Sequence, residues 1–205
     1  VKPYAEACDQ NRDPILTVIA PLFAASRAVL EIGSGTGQHA VYFARRMPHL
    51  IWHPSDLPQY HPGIQQWLEE AGLPNTRPPL VLDVTQATWP ELSVDAVFSA
   101  NTAHIMGWPA VQALFRGVGR MLPVGGLFVL YGPFNYNGSY TSESNARFDQ
   151  WLKDRDPASG IRDFEALDRL AEAAGMALEE DYPMPVNNRT LVWRRRVLGR
   201  PGEHL

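Results

Sequence analysis

Gly33, Gly35 and Gly37 stand at alternate positions after the apolar run Ala28–Ile32 and before a helical pattern through Ala40, Phe43, Ala44 and Met47. Small residues at a strand-to-helix turn let backbone approach a ligand, and the N–H groups of such a turn are expected to point toward it. A dinucleotide fingerprint requires glycine at position 38, where Gln38 stands. A Walker-type phosphate loop requires a lysine followed by serine or threonine, and no lysine lies nearby.

The segment Leu30 to Gly37, with Ser34 inside it, therefore reads as the turn for a methyl donor, S-adenosylmethionine; a tight turn without ligand is the plain alternative. Asp56 closes the next strand candidate, where a carboxylate accepts both hydrogen bonds of a ribose diol, and Leu57 follows it. Its other reading is a turn or cap aspartate before Pro58. Asp83 occupies the mouth of the third strand and suits an adenine amino group while Val84 packs on the ring; a helix cap is its other reading. Glu31 interrupts an apolar strand, so its carboxylate needs either backbone N–H partners or a cationic ligand.

Asn101 and His104 follow the fourth strand. Asn101 offers a carbonyl and an amide, and His104 a general base near neutral pH, although a loop histidine is more often a packing residue. Methyl transfer is an in-line displacement governed by alignment, so a dedicated base is not mandatory. Tyr131, Asn135, Tyr136 and Asn137 mix aromatic and amide groups after the fifth strand, either as an acceptor pocket or as a surface turn around Asn137 and Gly138. Arg194, Arg195 and Arg196 read as an alternating strand edge. His49 and His53 have helical spacing, but Pro48, Trp52 and Pro54 make their segment extended, and no metal site is expected.

The elements that position these residues alternate. A helix is expected from an Asp13 cap with Pro14 at its first position, running through Ile15, Leu16, Ile19 and Leu22 and kinked or ended near Pro21. Strands are expected at Ala28–Ile32, from Leu50 to Asp56, from Leu80 to Asp83, from Val94 to Ser99 and from Gly126 to Tyr131. Helices are expected through Ile64 and Leu68 closing at Gly72, from Pro109 to Leu122, and from Phe164 to Ala174. Two β-like stretches near Ala177 to Asp181 and Leu191 to Val197 are expected to pair antiparallel at a sheet edge. Such alternation predicts an α/β fold with a parallel sheet covered on both faces and a ligand at the strand carboxyl ends.

The 205 residues, 45% hydrophobic and 20% charged, suit one domain. The net charge of −4 gives no general attraction to nucleic acid. One cysteine, Cys8, and no leader or long apolar run point to a cytoplasmic protein with no membrane segment.

The chain resembles class I methyltransferases of the methyltransferase-like twenty-six type, found in bacteria and animals. The resemblance rests on Asn11 to Leu16, Leu30 to Ala40 with Gln38 and His39, Pro54 to Asp56, Leu82 to Thr85, Asn101 with Ala103 and His104, and Tyr131 to Pro133. Further matches are Asn137 Gly138, Ser144 Asn145, Phe148 Asp149, Arg162 Asp163, and Met184 Pro185 with Asn187 Asn188. It implies a Rossmann-like seven-stranded sheet with a reversed last strand. It also implies donor contacts at Glu31, Gly33, Gly35, Gly37, Asp56, Asp83 and Asn101. The acceptor is expected to be a small molecule, with Asn11 and Arg12 as further candidate contacts, over a domain of residues 1–197. Residues 198–205 lie outside the match and are expected to be a tail. An NAD(P)-dependent oxidoreductase and a non-catalytic S-adenosylmethionine-binding protein are the competing readings.

Overall fold

The computed structural model describes residues 1–197, so the expected tail at 198–205 lies outside the described residues. Five strands run parallel: β1 Ala28–Ile32, β2 Ile51–Asp56, β3 Leu80–Val81, β4 Ala96–Ala100 and β5 Leu127–Gly132. A short pair, β6 Phe134–Asn135 and β7 Arg162–Asp163, stands apart. The hairpin of β8 Met176–Met184 and β9 Asn188–Arg195 completes a seven-stranded sheet of order β3-β2-β1-β4-β5-β9-β8, with β9 antiparallel to β5. The helices are α1 Glu6–Leu22, α2 Gln38–Arg46, α3 His61–Ala71, α4 Trp108–Met121, α5 Glu143–Arg155 and α6 Phe164–Ala173.

Successive residues of the central strands feed opposite layers, as strand geometry requires. Val97, Phe128 and Leu130 pack with α4 and α6 through Phe115, Leu114 and Leu167. Phe98, Val129 and Val29 pack with α1 and α2 through Ile15, Ile19 and Phe43. Both faces are covered, so every residue of β1 and β5 is buried and these strands read as apolar runs rather than alternations.

The expected helix after Asp13 starts earlier, at Glu6, and carries Pro14 and Pro21 inside it. Pro14 is a start signal by type, but its missing N–H is tolerated here within a helix whose Ile15 and Ile19 are fully buried, while the end expected near Pro21 falls at Leu22. Helix α5 has no counterpart among the expected elements. Its buried residues are Asn145, Asp149 and Leu152, a mostly polar inner face that no apolar period reveals. It starts on Ser142, whose hydroxyl accepts from the Asn145 N–H at 3.0 Å.

The strand order reverses between β1 and β4, which opens a crevice at their carboxyl ends.

Candidate functional site

Two cavities open at the carboxyl end of the sheet, of about 460 Å³ and about 450 Å³, and Asn101 fronts both. Each lies within the roughly 300–1,000 Å³ of small-molecule sites. The first has the glycine loop as its floor, with Asp56, Leu57, Asp83, Val84 and Ile105 among its walls. The second is enclosed by α1, α5, the exits of β4 and β5, and the tip of the β8–β9 hairpin.

In the first cavity the glycines have different reasons to be glycine. A Cβ on Gly33 would sit 2.5 Å from the Thr102 methyl, whereas one on Gly35 (φ +59°) would meet no protein atom within 4 Å. The space beside Gly35 is therefore open to a ligand. Contrary to expectation, four of the loop N–H groups do not point at that space. Those of Gly33 and Ser34 donate to the Ser55 carbonyl at 3.1 and 2.9 Å, that of Gly35 to Asp56 Oδ2 at 2.8 Å, and that of Gly37 to the Ser34 carbonyl at 3.0 Å. A loop with most of its donors spent inward supplies backbone shape more than an anion cradle.

Asp56 accepts from Gly35 N–H through Oδ2 and from Leu57 N–H at 2.7 Å through Oδ1, leaving lone pairs on both oxygens. Burial pushes its pKa up, opposed by those two N–H groups. Asp83 lines the same wall and accepts from the Thr85 N–H and hydroxyl at 3.0 and 2.6 Å, bonds that hold its pKa below the ordinary value. Val84 is buried beside it. Glu31 lies beneath the loop and is not among the cavity-lining residues. Its Oε1 accepts from the Ser34 hydroxyl at 2.7 Å and from Trp52 Nε1 at 3.2 Å, and burial pushes its carboxyl up to about 7. Ser34 in turn accepts from Ser55 N–H at 3.0 Å, so Glu31 acts on the loop through Ser34. Gly37 is likewise not a lining residue: a Cβ there would press on Ile64 of α3 at 3.0 Å.

Gln38, read only as a missing glycine, clamps the start of α1. Its Oε1 accepts from the Ala5 N–H at 2.7 Å and its Nε2 donates to the Ala5 carbonyl at 3.2 Å. Helix α1 is thereby held across both cavities, with Cys8 in the first and Gln10 and Asn11 in the second.

Asn101 adopts φ +57°, a conformation asparagine tolerates better than most residues, and its N–H donates to the Tyr131 carbonyl at 2.9 Å. His104 is buried edge-on to Phe148, with ring centroids 5.4 Å apart. Burial, assisted by the Arg162 charge, pushes its pKa down to about 4, so the ring is neutral at physiological pH. Tyr131 lies on the same wall, and burial raises its hydroxyl to about 12. Asn11 faces the second cavity and is held by His39 Nε2 at 2.7 Å.

Four candidate contacts lie elsewhere. Arg12 rests on the Tyr42 ring and pairs with Asp9 at 3.1 Å. Asn135 is buried in β6, Tyr136 stacks on Phe164 and donates to Asp181 at 2.7 Å, and Asn137 forms a left-handed turn with Gly138. The aromatic stacking of Tyr136 carries the chain away from the cavity after Pro133. The surface-turn reading thus describes residues beyond Pro133, while Tyr131 and Pro133 line the second cavity. Sequence reasoning missed Gln10, Asn145, Phe148, Val186 and Asn188; for α5 the available signal was the Ser142 cap. The expected alternation of Arg194 to Arg196 is present: Arg194 and Arg196 reach Glu179, and Arg195 donates to the Gly119 carbonyl.

No cluster of three or more potential metal ligands occurs among the described residues. Among them, no helix is long and apolar enough to cross a membrane.

Solved structures with this fold include an O-methyltransferase family protein from Burkholderia thailandensis (TM-score 0.77, 15% identity, covering 90% of this chain and 56% of that one). The S-adenosylmethionine-dependent methyltransferase SibL gives 0.79 at 21% identity, covering 93% and 56%. Human N-acetylserotonin methyltransferase in complex with S-adenosylmethionine gives 0.77 at 15%, covering 94% and 53%. The chain thus spans little more than half the length of these proteins, and at such identity the likeness is one of fold: Rossmann-like, as in methyltransferases. Residues 2–195 match the family described as protein of unknown function (DUF938), and the chain belongs to that family.

Proposed function

We propose that this protein is an S-adenosylmethionine-dependent methyltransferase of the methyltransferase-like twenty-six type acting on a small molecule. The observation that carries the reading is the glycine loop itself. Four of its N–H groups, those of Gly33, Ser34, Gly35 and Gly37, are spent on Ser55, Asp56 and Ser34, so the cleft suits a nucleoside without a pyrophosphate. A dinucleotide needs those donors for its pyrophosphate, which disfavours the oxidoreductase reading.

The residues fit the donor. Asp56 keeps lone pairs for a ribose diol, Leu57 and Val84 offer apolar walls to an adenine, Asp83 stands at the cleft rim, and the open space at Gly35 admits close approach. When bound, the donor supplies a sulfonium methyl that passes to a nucleophile with breakage of the carbon–sulfur bond. An uncharged nucleophile sheds one proton in that transfer. In this reading the neutral ring of His104, which lines the adjoining pocket, takes it, and Asn101 stands where the two cavities meet. A non-catalytic donor-binding protein is the second reading, favoured by the low basicity of His104.

Incubation with methyl-labelled donor and a fractionated small-molecule extract tests the proposal. Label appearing in an organic-extractable product, dependent on Asp56, supports it. Donor binding without any labelled product across fractions favours the second reading.

A further inference from the structure

The second cavity has an unusual lining. Among the described residues five carboxamides face it, Gln10 and Asn11 from α1, Asn101 from the β4 exit, Asn145 from α5 and Asn188 from β9, and no Asp, Glu, Lys or Arg does. The groups that can titrate, His104 and Tyr131, are both neutral at physiological pH.

These amides leave free hydrogen-bonding ends of both kinds. Asn145, only 6% exposed, donates its N–H groups to Thr141 Oγ1 at 3.0 Å and to the Asn187 carbonyl at 3.3 Å, which leaves its own carbonyl as an acceptor. One end of Asn11 is held by His39 and the other is free. Pro14, also on the wall, has no N–H to give to the Gln10 carbonyl. An ion entering such a pocket gives up part of its hydration and meets no charged side chain among the described lining residues, whereas a neutral polar group exchanges water for amides at little cost.

The mouth of the pocket carries a strained apolar residue. Val186 (φ +59°) and Asn187 (φ +58°) form the tip of the β8–β9 hairpin, and Val186 is 83% exposed while lining the cavity. Turns of this hand favour Asn or Gly, and a β-branched side chain there is held against both its backbone preference and its exposure. Strain of this kind at a pocket rim signals a contact made only with a ligand.

We infer that the second pocket takes an uncharged small molecule with an apolar face and an edge of hydroxyl, carbonyl or N–H groups. The carboxamides read its polar edge, and Val186 and Phe148 cover its apolar surface. Only the statement that this compound is the methyl acceptor rests on the methyltransferase proposal.

Calorimetric titration with a matched bicyclic series tests it: a neutral quinolinone, its carboxylate derivative and its aminomethyl derivative. The neutral compound is expected to bind at least about tenfold more tightly than either ion. Val186→Asn is expected to weaken it several-fold while raising the melting temperature by about 2–4 °C through relief of strain. Gln10→Lys, at an exposed helical position, is expected to shift preference toward the carboxylate. Absence of neutral-compound binding up to millimolar concentration, equal or tighter binding of an ion, or an unchanged affinity in Val186→Asn overturns the inference. S-adenosylhomocysteine binding, titrated separately, tells failure of the methyltransferase reading apart from failure of this one.

Discussion

The two cavities that meet at Asn101 are built in opposite ways. The floor of the proposed donor cleft is a product of local sequence: a strand end, a turn and the next strand end supply Gly33 to Gly35 and Asp56, with bonds confined to neighbouring elements, although Cys8 of α1 and Ala110 of α4 also reach its walls. The second pocket is assembled from remote segments, α1, α5 and the β8–β9 hairpin, joined by contacts such as Asn145 to Asn187. Among the described residues the first keeps carboxylates at its edge and the second keeps none. A fold can thus fix where a donor lies through its sheet while leaving the partner pocket to be shaped by whatever packs over the sheet end.

The contrast extends to protons, where the largest effect is expected. Glu31, under the cleft, is raised from 4.5 to about 7 by burial, so its contribution to stability is full below pH 4.5 and lost as pH rises through 7. His104, in the second pocket, is lowered from 6.5 to about 4 by burial, so its contribution is full above pH 6.5 and lost as pH falls through 4. His39, between them, follows His104. Urea unfolding across this range should show wild type losing on the order of 3 kcal/mol relative to Glu31→Gln from pH 4.5 to 7. Relative to His104→Gln the loss should be similar but on acidification from pH 6.5 to 4. Differences that stay flat with pH would remove these titrations from the account.

A smaller effect separates the two carboxylates of the cleft. Asp56→Ala should weaken S-adenosylhomocysteine binding by about 1–3 kcal/mol, through loss of charge-assisted bonds and of the brace on Gly35. Binding of a neutral ring compound in the second pocket should change little. Asp83→Asn should cost only about 0.5 kcal/mol of donor affinity, because that side chain is solvated and already committed to Thr85. Equal losses in the two variants, read by calorimetry, would mean that Asp56 has no privileged place on the ribose.

What could be read from the chain follows the same division. Strand β1 was legible to the residue, and Gly72 (φ +59°) closes α3 as its position suggested, because apolar runs and glycine caps are local signals. Asp56 could be placed for the same reason. Helix α5 was not legible, since Asn145 and Asp149 occupy the positions where an apolar residue would have marked its inner face. The segment after Tyr131 supports two readings in sequence, because aromatic and amide residues suit a pocket as well as a surface turn, and stacking of Tyr136 on Phe164 spends that chemistry on packing. Gln38 was recognised as a departure from a dinucleotide motif, but its hold on Ala5 belongs to tertiary structure.

The glycine loop, with four of its N–H groups bonded inward, is proposed to make a cleft for a phosphate-free nucleoside donor. Parallel calorimetric titrations of the protein with S-adenosylhomocysteine and with NAD test it most directly. Saturable binding of S-adenosylhomocysteine in the micromolar range, with no heat from NAD, is the predicted result. Saturable binding of NAD, with no response to S-adenosylhomocysteine at high micromolar concentration, would contradict it.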